Sequence, residues 1–443
     1  MKVLKFGGTS MANADSIKKV AAIIKADKDN KFVIVSAPGK RESTDIKVTD
    51  LMYAAYDAKA KNGSCDTAFL AVQKRFDEII AGLNLKLDLS KHYDTIKNDI
   101  NNGASSDYAA SRGEYLSAIV TAKYLGIEFI DAIELIAFDK DGKFLSEETN
   151  EKTANRLKKS KGAIIPGFYG ITTDGKIKTF SRGGSDISGS IVARAVKASV
   201  YENWTDVDGF LVCDPRIVKN PAQIKTLTYK ELRELSYMGA NVLHSDSIFP
   251  VMKNGIPIHI RNSFNPQAEG TMIVPTGEDG KKKYPIALRT VTGIAGKKNF
   301  IAITIEKAMM NDEIGFAYKV LKVLNDHNIS LAHMPSGIDT LTVLIDGCGI
   351  NEEHSIERVK KDIESAVAPD KTEVLEHLAL IAVVGHGMSR NPGTAAKICG
   401  ALSDAGVNIR MIDQGSSELN VIVGVEEKDY ERAIWALYDA VGK

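Results

Sequence analysis

The sequence predicts an α/β protein: a mainly parallel sheet between helices, followed by two smaller α+β modules. Three observations carry this. Strand-like apolar runs alternate with helical patterns over about the first 294 residues, as a parallel sheet with crossover helices requires. Two glycine-rich turns each lead from a strand into a helix. Beyond residue 295 the order strand, loop, helix, strand occurs twice, over 301–343 and again over 381–423.

The first strand is Lys2-Val3-Leu4-Lys5-Phe6, which runs into the turn Gly7-Gly8-Thr9-Ser10 and a helix expected over 16–25. Gly7 and Gly8 let backbone amides approach an anion, and Lys5 is a compact charge on a flexible stem, suited to a phosphoryl group. Further strands are expected at 32–37, 163–165, 199–204 and 256–260. The polar stretch from Gly39 to Gly103 reads as helical, with amphipathic spacing at 47–61 and 67–80 that suits the cover of a cleft. The second turn, Phe180-Ser181-Arg182-Gly183-Gly184-Ser185-Asp186, precedes Ile187, Ile191, Ala195 and Val196 at helical spacing. Its amides and the helix N-terminus would converge on one negative group; the plainer reading is a turn capped by Ser185 or Asp186. Pro, Gly and a lysine run over 265–283 mark a linker. In the repeat, Asn311 to Gly315 before a helix at 316–325 answers Ser389 to Gly393 before a helix at 394–404.

Composition narrows the function classes. The chain has 443 residues, enough for two or more full cores, and 57 Lys and Arg balance 57 Asp and Glu. No net field recruits nucleic acid or an anionic membrane. No apolar run approaches the roughly 20 residues of a membrane span, and Met1 leads straight into a strand, so a cytoplasmic protein is expected. Cys65, Cys213, Cys348 and Cys399 are scattered without a CxxC pair and read as reduced packing residues. The GxxxxGK[ST] spacing is missing, and Gly385-His386-Gly387 lacks the third glycine of a dinucleotide fingerprint. Asp206-Val207-Asp208-Gly209 lacks the remaining EF-hand ligands, and His244 and His386 lack ligand spacing.

Four motifs stand in one order: KFGGTS at Lys5 to Ser10, RGE at Arg112 to Glu114, FSRGGSD at Phe180 to Asp186 and WTDVDG at Trp204 to Gly209. In order and separation they resemble the aspartokinase family over nearly the whole chain, and the repeats resemble ACT domains. The resemblance implies an amino-acid-kinase fold over 1–294 and a regulatory region over 295–443, with ACT modules at about 301–370 and 378–443, in series or intertwined. It further implies ATP-dependent phosphorylation of the L-aspartate side chain to 4-phospho-L-aspartate, the first step of lysine, threonine and methionine biosynthesis. Mg2+ would enter on ATP, with no metal site in the protein itself. The acceptor carboxylate, near its reference pKa of about 3.9, is ionised at neutral pH and attacks without a general base.

Site residues follow from the same resemblance and from their chemistry. Lys5 and Asp186 are the catalytic candidates, the lysine stabilising the transferring group and the acid organising the lysine or the phosphates. Arg182 would hold the α-carboxylate through two parallel hydrogen bonds and Glu114 the α-ammonium, while Ser36, Thr49 and Ser185 hold the reacting end. Nucleotide contacts are assigned to Lys5, Gly7, Gly8, Thr205, Asp206, Leu211, Asp214 and Arg216. Here the chain departs from its relatives, with Leu211 where tyrosine is common, Asn241 in place of lysine and Ser245 in place of proline. In the first repeat, Met310, Asp312, Glu313, Phe316, Ser330, Leu331, Ser336 and Asp339 resemble the effector cluster of lysine-responsive members. Lysine is the expected effector, threonine the alternative, and the repeats imply a homodimer or tetramer.

Overall fold

The computed structural model describes residues 1–181, 183–240, 242–243, 245–275, 289–350 and 355–443, with Ser245 by its backbone alone. The chain forms two compact units. One comprises Met1–Phe210, Gln223–Leu232 and Asn241–Ala287; the other comprises Leu211–Ala222, Arg233–Ala240 and Leu288–Lys443.

The first unit begins with β1 (Lys2–Phe6), α1 (Ala14–Lys25) and β2 (Asn30–Val35), followed by α2 (Val48–Asn62), α3 (Asp66–Gly82), α4 (Ser90–Asn101) and α5 (Ser106–Leu125). Next come β3 (Glu128–Phe129), β4 (Ala137–Phe138), α6 (Ser146–Leu157), β5 (Ala163–Pro166), β6 (Tyr169–Thr172), β7 (Ile177–Thr179), α7 (Gly184–Ala195) and β8 (Val200–Thr205). Then β9 (Thr226–Thr228), α8 (Tyr229–Tyr237, of which Arg233–Tyr237 belong to the second unit), α9 (Phe249–Met252), β10 (Ile258–Asn262) and β11 (Thr271–Val274) follow. Eight strands form one sheet in the order β3-β5-β2-β1-β8-β10-β11-β9, and β4, β6 and β7 form a second, small one. Every pairing in the large sheet is parallel except β10 with β11.

Central position explains composition. β1 lies between β2 and β8, is buried from Val3 onward, and accordingly reads as a continuous apolar run interrupted only by Lys5. The helices α2 to α5 bury Met52, Phe69, Phe76, Tyr93, Ile96 and Leu116 in the core shared with β1 and β2. Asn13 and Ser105 cap α1 and α5, their side-chain oxygens accepting from the backbone N–H of Ser16 and Tyr108. The expected strands and helices occur with ends moved by at most two residues. The stretch at 265–283 differs: Thr271–Val274 is a strand of the large sheet, its Thr271 and Ile273 buried, and 276–283 lies outside the described residues.

The second unit holds β12 (Gly293–Glu306), α10 (Phe316–Asp326), β13 (Leu331–His333), β14 (Thr340–Asp346), α11 (Ile356–Val367), β15 (Lys371–Val384), α12 (Thr394–Asp404), β16 (Met411–Asp413), β17 (Asn420–Glu426) and α13 (Tyr430–Leu437). Its sheet runs β13-β14-β12-β15-β17-β16, and every pairing is antiparallel. The long strands β12 and β15 serve both repeats. Phe300–Glu306 pairs with β14 and with the first half of β15, whereas Gly293–Lys297 pairs with Leu380–Val384, which in turn pairs with β17. The register shifts between these halves, and Asn299 (φ +70°) and His377 (φ +58°) take left-handed backbone there, so the ladder bends where one module passes into the next. Each half has its own core, Ile303, Phe316, Val343 and Ile363 in one and Ile381, Ile398, Val423 and Ile434 in the other. Cys65 and Cys213 are buried as expected, but Cys348 is exposed; its turn places Sγ at the surface, where it accepts from Asn299 Nδ2 at 3.5 Å.

Candidate active site

The turn after β1 is held from two sides. Gly7 N–H donates to Trp204 O on β8 (3.0 Å), and Gly8 O accepts from Gly39 N–H (2.8 Å). A Cβ on Gly39 would lie 2.6 Å from the carbonyl carbon of Gly8, so a glycine there lets the loop after β2 seat directly on the turn. Lys5, only 8% exposed, points its ammonium at Asp186 Oδ1, 2.5 Å away on the first turn of α7. Asn203 Nδ2 donates to the same Oδ1 at 2.9 Å. Lys5 and Asn203 are register partners on β1 and β8, so two neighbouring strands fix one carboxylate. Thr9 Oγ1 donates to Asp206 Oδ2 (3.0 Å), and Ser263 donates to Thr205 O through both N–H and Oγ, which ties the 205–206 corner to the β1 turn.

α7 starts without a side-chain cap: Gly183 (φ +57°) precedes it and neither Ser185 nor Asp186 closes its amides, so the capped-turn reading does not hold. Phe168 faces this turn in left-handed backbone (φ +81°), its N–H donating to Ser188 Oγ and its carbonyl accepting from Phe180 N–H.

These elements enclose a cavity of about 260 Å³. Lys5, Ser36, Thr49 and Glu114 line it from β1, the end of β2, α2 and α5. Gly183, Gly184, Ser185, Asp186 and Phe168 line the rest. Glu114 is 5% exposed and its Oε2 has no hydrogen-bond partner. Burial pushes its carboxyl up to about 8, while backbone hydrogen bonds and the Arg112 charge act in the opposite sense. Gly113 lets α5 approach closely enough to put Glu114 there, because a Cβ at 113 would sit 2.9 Å from that of Ala37. A buried acid with a free oxygen, a lysine and an uncapped helix start share one cavity. That set accommodates a zwitterion at one end and a phosphoryl group at the other.

Of the remaining expected residues, Arg182, Asn241 and His244 lie outside the described residues, and of Ser245 only the backbone is described. Leu211, Asp214 and Arg216 belong to the second unit, where Asp214 and Arg216 form an ion pair at 2.6 Å. Met310 and Phe316 are buried in the first module's core. Asp312, Ser330, Ser336 and Asp339 are exposed, with Leu331 on the edge strand, and Asp339 Oδ1 accepts from Met309 N–H at 2.9 Å. Glu313, also expected in the effector cluster, holds Lys307 (2.6 Å) and Lys319 (2.5 Å), which lower its pKa.

Two site residues carried weak signals or none. Asn203 is a buried polar residue in an otherwise enclosed strand, a usable cue. Phe168 reveals nothing in sequence, because its place depends on an unusual backbone angle.

The fold and cavity define a kinase of small amino-acid-like acceptors. The amino acid kinase family model matches residues 1–262 and an ACT domain model matches 381–441. The chain belongs to the amino acid kinase family, and within it to the aspartokinases: Bacillus subtilis (strain 168) aspartokinase 3 is 38% identical over 99% of this chain and 98% of its own. It is therefore an aspartate kinase. Clostridium acetobutylicum aspartate kinase, described as an important allosteric enzyme for industrial amino acid production, is 49% identical with a TM-score of 0.92 over the full length of both chains. Escherichia coli aspartokinase III in complex with lysine and aspartate, in its T-state, is 25% identical with a TM-score of 0.76, again over the full length of both chains.

Proposed function

We propose that the enzyme transfers the γ-phosphoryl group of ATP to the β-carboxylate of L-aspartate in the cavity between β1, α5 and α7. The observation that carries this reading is the meeting of Lys5, Ser36, Thr49, Glu114, Ser185 and Asp186 in that one cavity. Aspartate's ammonium is assigned to Glu114 and its α-carboxylate to Arg182, with Ser36, Thr49 and Ser185 on the reacting carboxylate. One carboxylate oxygen bonds to the γ-phosphorus as its bond to the bridging oxygen breaks; no proton moves. Lys5 counters charge on the equatorial oxygens, and the Lys5–Asp186–Asn203 set fixes where that charge stands.

Gly7 and Gly8 suit a phosphate cradle, since a Cβ on Gly7 would stand 3.6 Å from Lys5 Nζ, in the space a phosphate oxygen needs. Thr205, Asp206, Leu211, Asp214 and Arg216 are assigned to the nucleotide. Mg2+, carried on ATP, supplies further neutralisation of the phosphates. Catalysis is placed in 1–294 and control in 295–443.

L-lysine, with threonine as alternative, is assigned to the first repeat around Asp312, Ser336 and Asp339, supported by the lysine complex of the E. coli relative. The product opens a route to lysine, threonine and methionine. Joined repeats of two copies would make the homodimer. Among the described residues no helix is long and apolar enough to cross a membrane, which agrees with a cytoplasmic enzyme. The test is ATP turnover with aspartate, glutamate, N-acetylglutamate and UMP, with and without lysine. Turnover with aspartate alone, lowered by lysine, is expected; turnover with another acceptor and none with aspartate refutes the reading.

A further inference from the structure

Arg112, the first residue of the RGE motif, is 6% exposed, and its guanidinium makes no ion pair among the described residues. Among the described residues its one hydrogen bond runs from Nε to Ser111 Oγ at 3.1 Å, and Nη2 has no partner there. Three tyrosine rings surround it instead, Tyr115 at 4.6 Å, Tyr108 at 4.7 Å and Tyr169 at 5.1 Å from the guanidinium carbon. Two of the three hydroxyls donate outward to acids, Tyr108 to Asp99 and Tyr169 to Asp131. Each such bond leaves its ring richer in electrons, so the cage attracts a cation that no carboxylate neutralises directly.

Arginine stays charged whatever its surroundings, and a buried charge without an ion partner is costly enough to require a reason. Two positions further along α5 stands Glu114, also buried, with a free oxygen. Residues two apart on a helix do not face each other, so these charges act through the field and not through contact. Tyr169, moreover, directly follows Phe168, which lines the cavity.

We propose that Arg112 is a positioning residue whose tyrosine-caged, uncompensated guanidinium keeps the Glu114 carboxylate ready for the substrate's ammonium group. This rests on Glu114 binding that ammonium. Other groups face Glu114 as well: Tyr53 on α2 lies within electrostatic reach of it, and Lys5 and Asp186 line the same cavity. Arg112 is the cation on α5 whose charge acts on Glu114, and it favours the ionised form.

Steady-state kinetics from pH 6 to 9 on the full chain test this with Arg112→Met, Arg112→Lys, Glu114→Ala and the Arg112→Met/Glu114→Ala double variant. Arg112→Met should raise the aspartate KM about tenfold at neutral pH with the ATP KM unchanged, and move the acid limb of kcat/KM for aspartate up by about one pH unit. Arg112→Lys, which keeps the charge, should leave that limb in place. In the Glu114→Ala background Arg112→Met should add nothing to the aspartate KM. The inference is overturned if the two effects multiply or if the acid limb stays put in Arg112→Met. Arg112→Gln repeats the test should the methionine variant not fold; failure of both to fold makes the role structural and equally overturns it. A wild-type aspartate KM in Glu114→Ala alone would instead remove the assignment of Glu114, and this inference with it.

Discussion

In the proposed reaction Lys5, Asp186 and Glu114 carry most of the chemistry, and Lys5 and Glu114 each make a measurable demand. Lys5 is enclosed and held by one acid, so Lys5→Ala should cost about 3 kcal/mol of transition-state stabilisation, about a hundredfold in kcat, in a protein with native circular dichroism. Near wild-type turnover would exclude its role. Glu114 makes a pH prediction with a definite sign. Its carboxyl titrates near 4.5 when unfolded and at about 8 when folded, so the native state binds the extra proton between those values. Stability contributed at this site therefore falls as pH rises from about 4.5 to 8 and levels off above. Glu114→Gln should accordingly raise Tm over wild type by an amount that grows from pH 5.5 to 8; a constant difference in Tm would contradict it. The same titration makes the aspartate KM fall as pH approaches 8, because the ammonium needs the ionised carboxylate. These residues stood out in the sequence because motif chemistry is written in residue type and spacing, and the structure brings them to one cavity. It did not find Asn203 or Phe168, whose roles arise from strand register and from a left-handed backbone angle.

Among the elements, the loop 36–47 matters most, because it joins the turn after β1, the proposed phosphate cradle, to α2, which carries the proposed substrate contact Thr49. Gly39 docks on Gly8, Pro38 O accepts from Val48 N–H, and Arg75 on α3 grips the loop. Arg75 donates to Asp45 at 2.7 and 2.8 Å and to Gly39 O at 3.0 Å. Both ends of that ion pair are largely buried, and hydrogen bonds from the Arg41 side chain and backbone, with the Arg75 charge, hold Asp45 well below the usual carboxylate range. Removing one partner from such a pair typically costs 3–5 kcal/mol, so Arg75→Ala should lower the unfolding free energy by about 3 kcal/mol in denaturant titration. Gly39→Ala should cost less stability, about 1–2 kcal/mol, yet reduce kcat/KM by about tenfold or more, since it displaces the turn below Lys5. A wild-type kcat/KM in Gly39→Ala would show that the seating does not matter. Regular elements were legible from periodicity because β1, β2 and β8 are enclosed and α2 and α3 amphipathic. β11 was hidden behind Pro and Gly because a four-residue strand leaves too short a pattern to separate from a loop.

At the scale of the molecule, the repeats were legible as repeats, but whether they run in series or intertwine was not, since the pairing of β12 and β15 across both is set in three dimensions. If lysine acts on the first module, it does so only through differential affinity for two states, and a tenfold loss of activity needs about 1.4 kcal/mol. Asp339→Ala should weaken that inhibition while leaving uninhibited turnover unchanged; undiminished inhibition would move the effector elsewhere. Above all, the buried Glu114 is proposed to select a free amino acid at the cavity assigned to phosphoryl transfer. The most direct measurement is hydroxylamine-trapped acyl phosphate formation with aspartate and with N-acetylaspartate, in wild type and Glu114→Ala. Wild type should use aspartate at least a hundredfold better, about 3 kcal/mol of discrimination, and Glu114→Ala should erase most of that preference. Equal use of both acceptors by the wild-type enzyme, or an undiminished preference in Glu114→Ala, would contradict it.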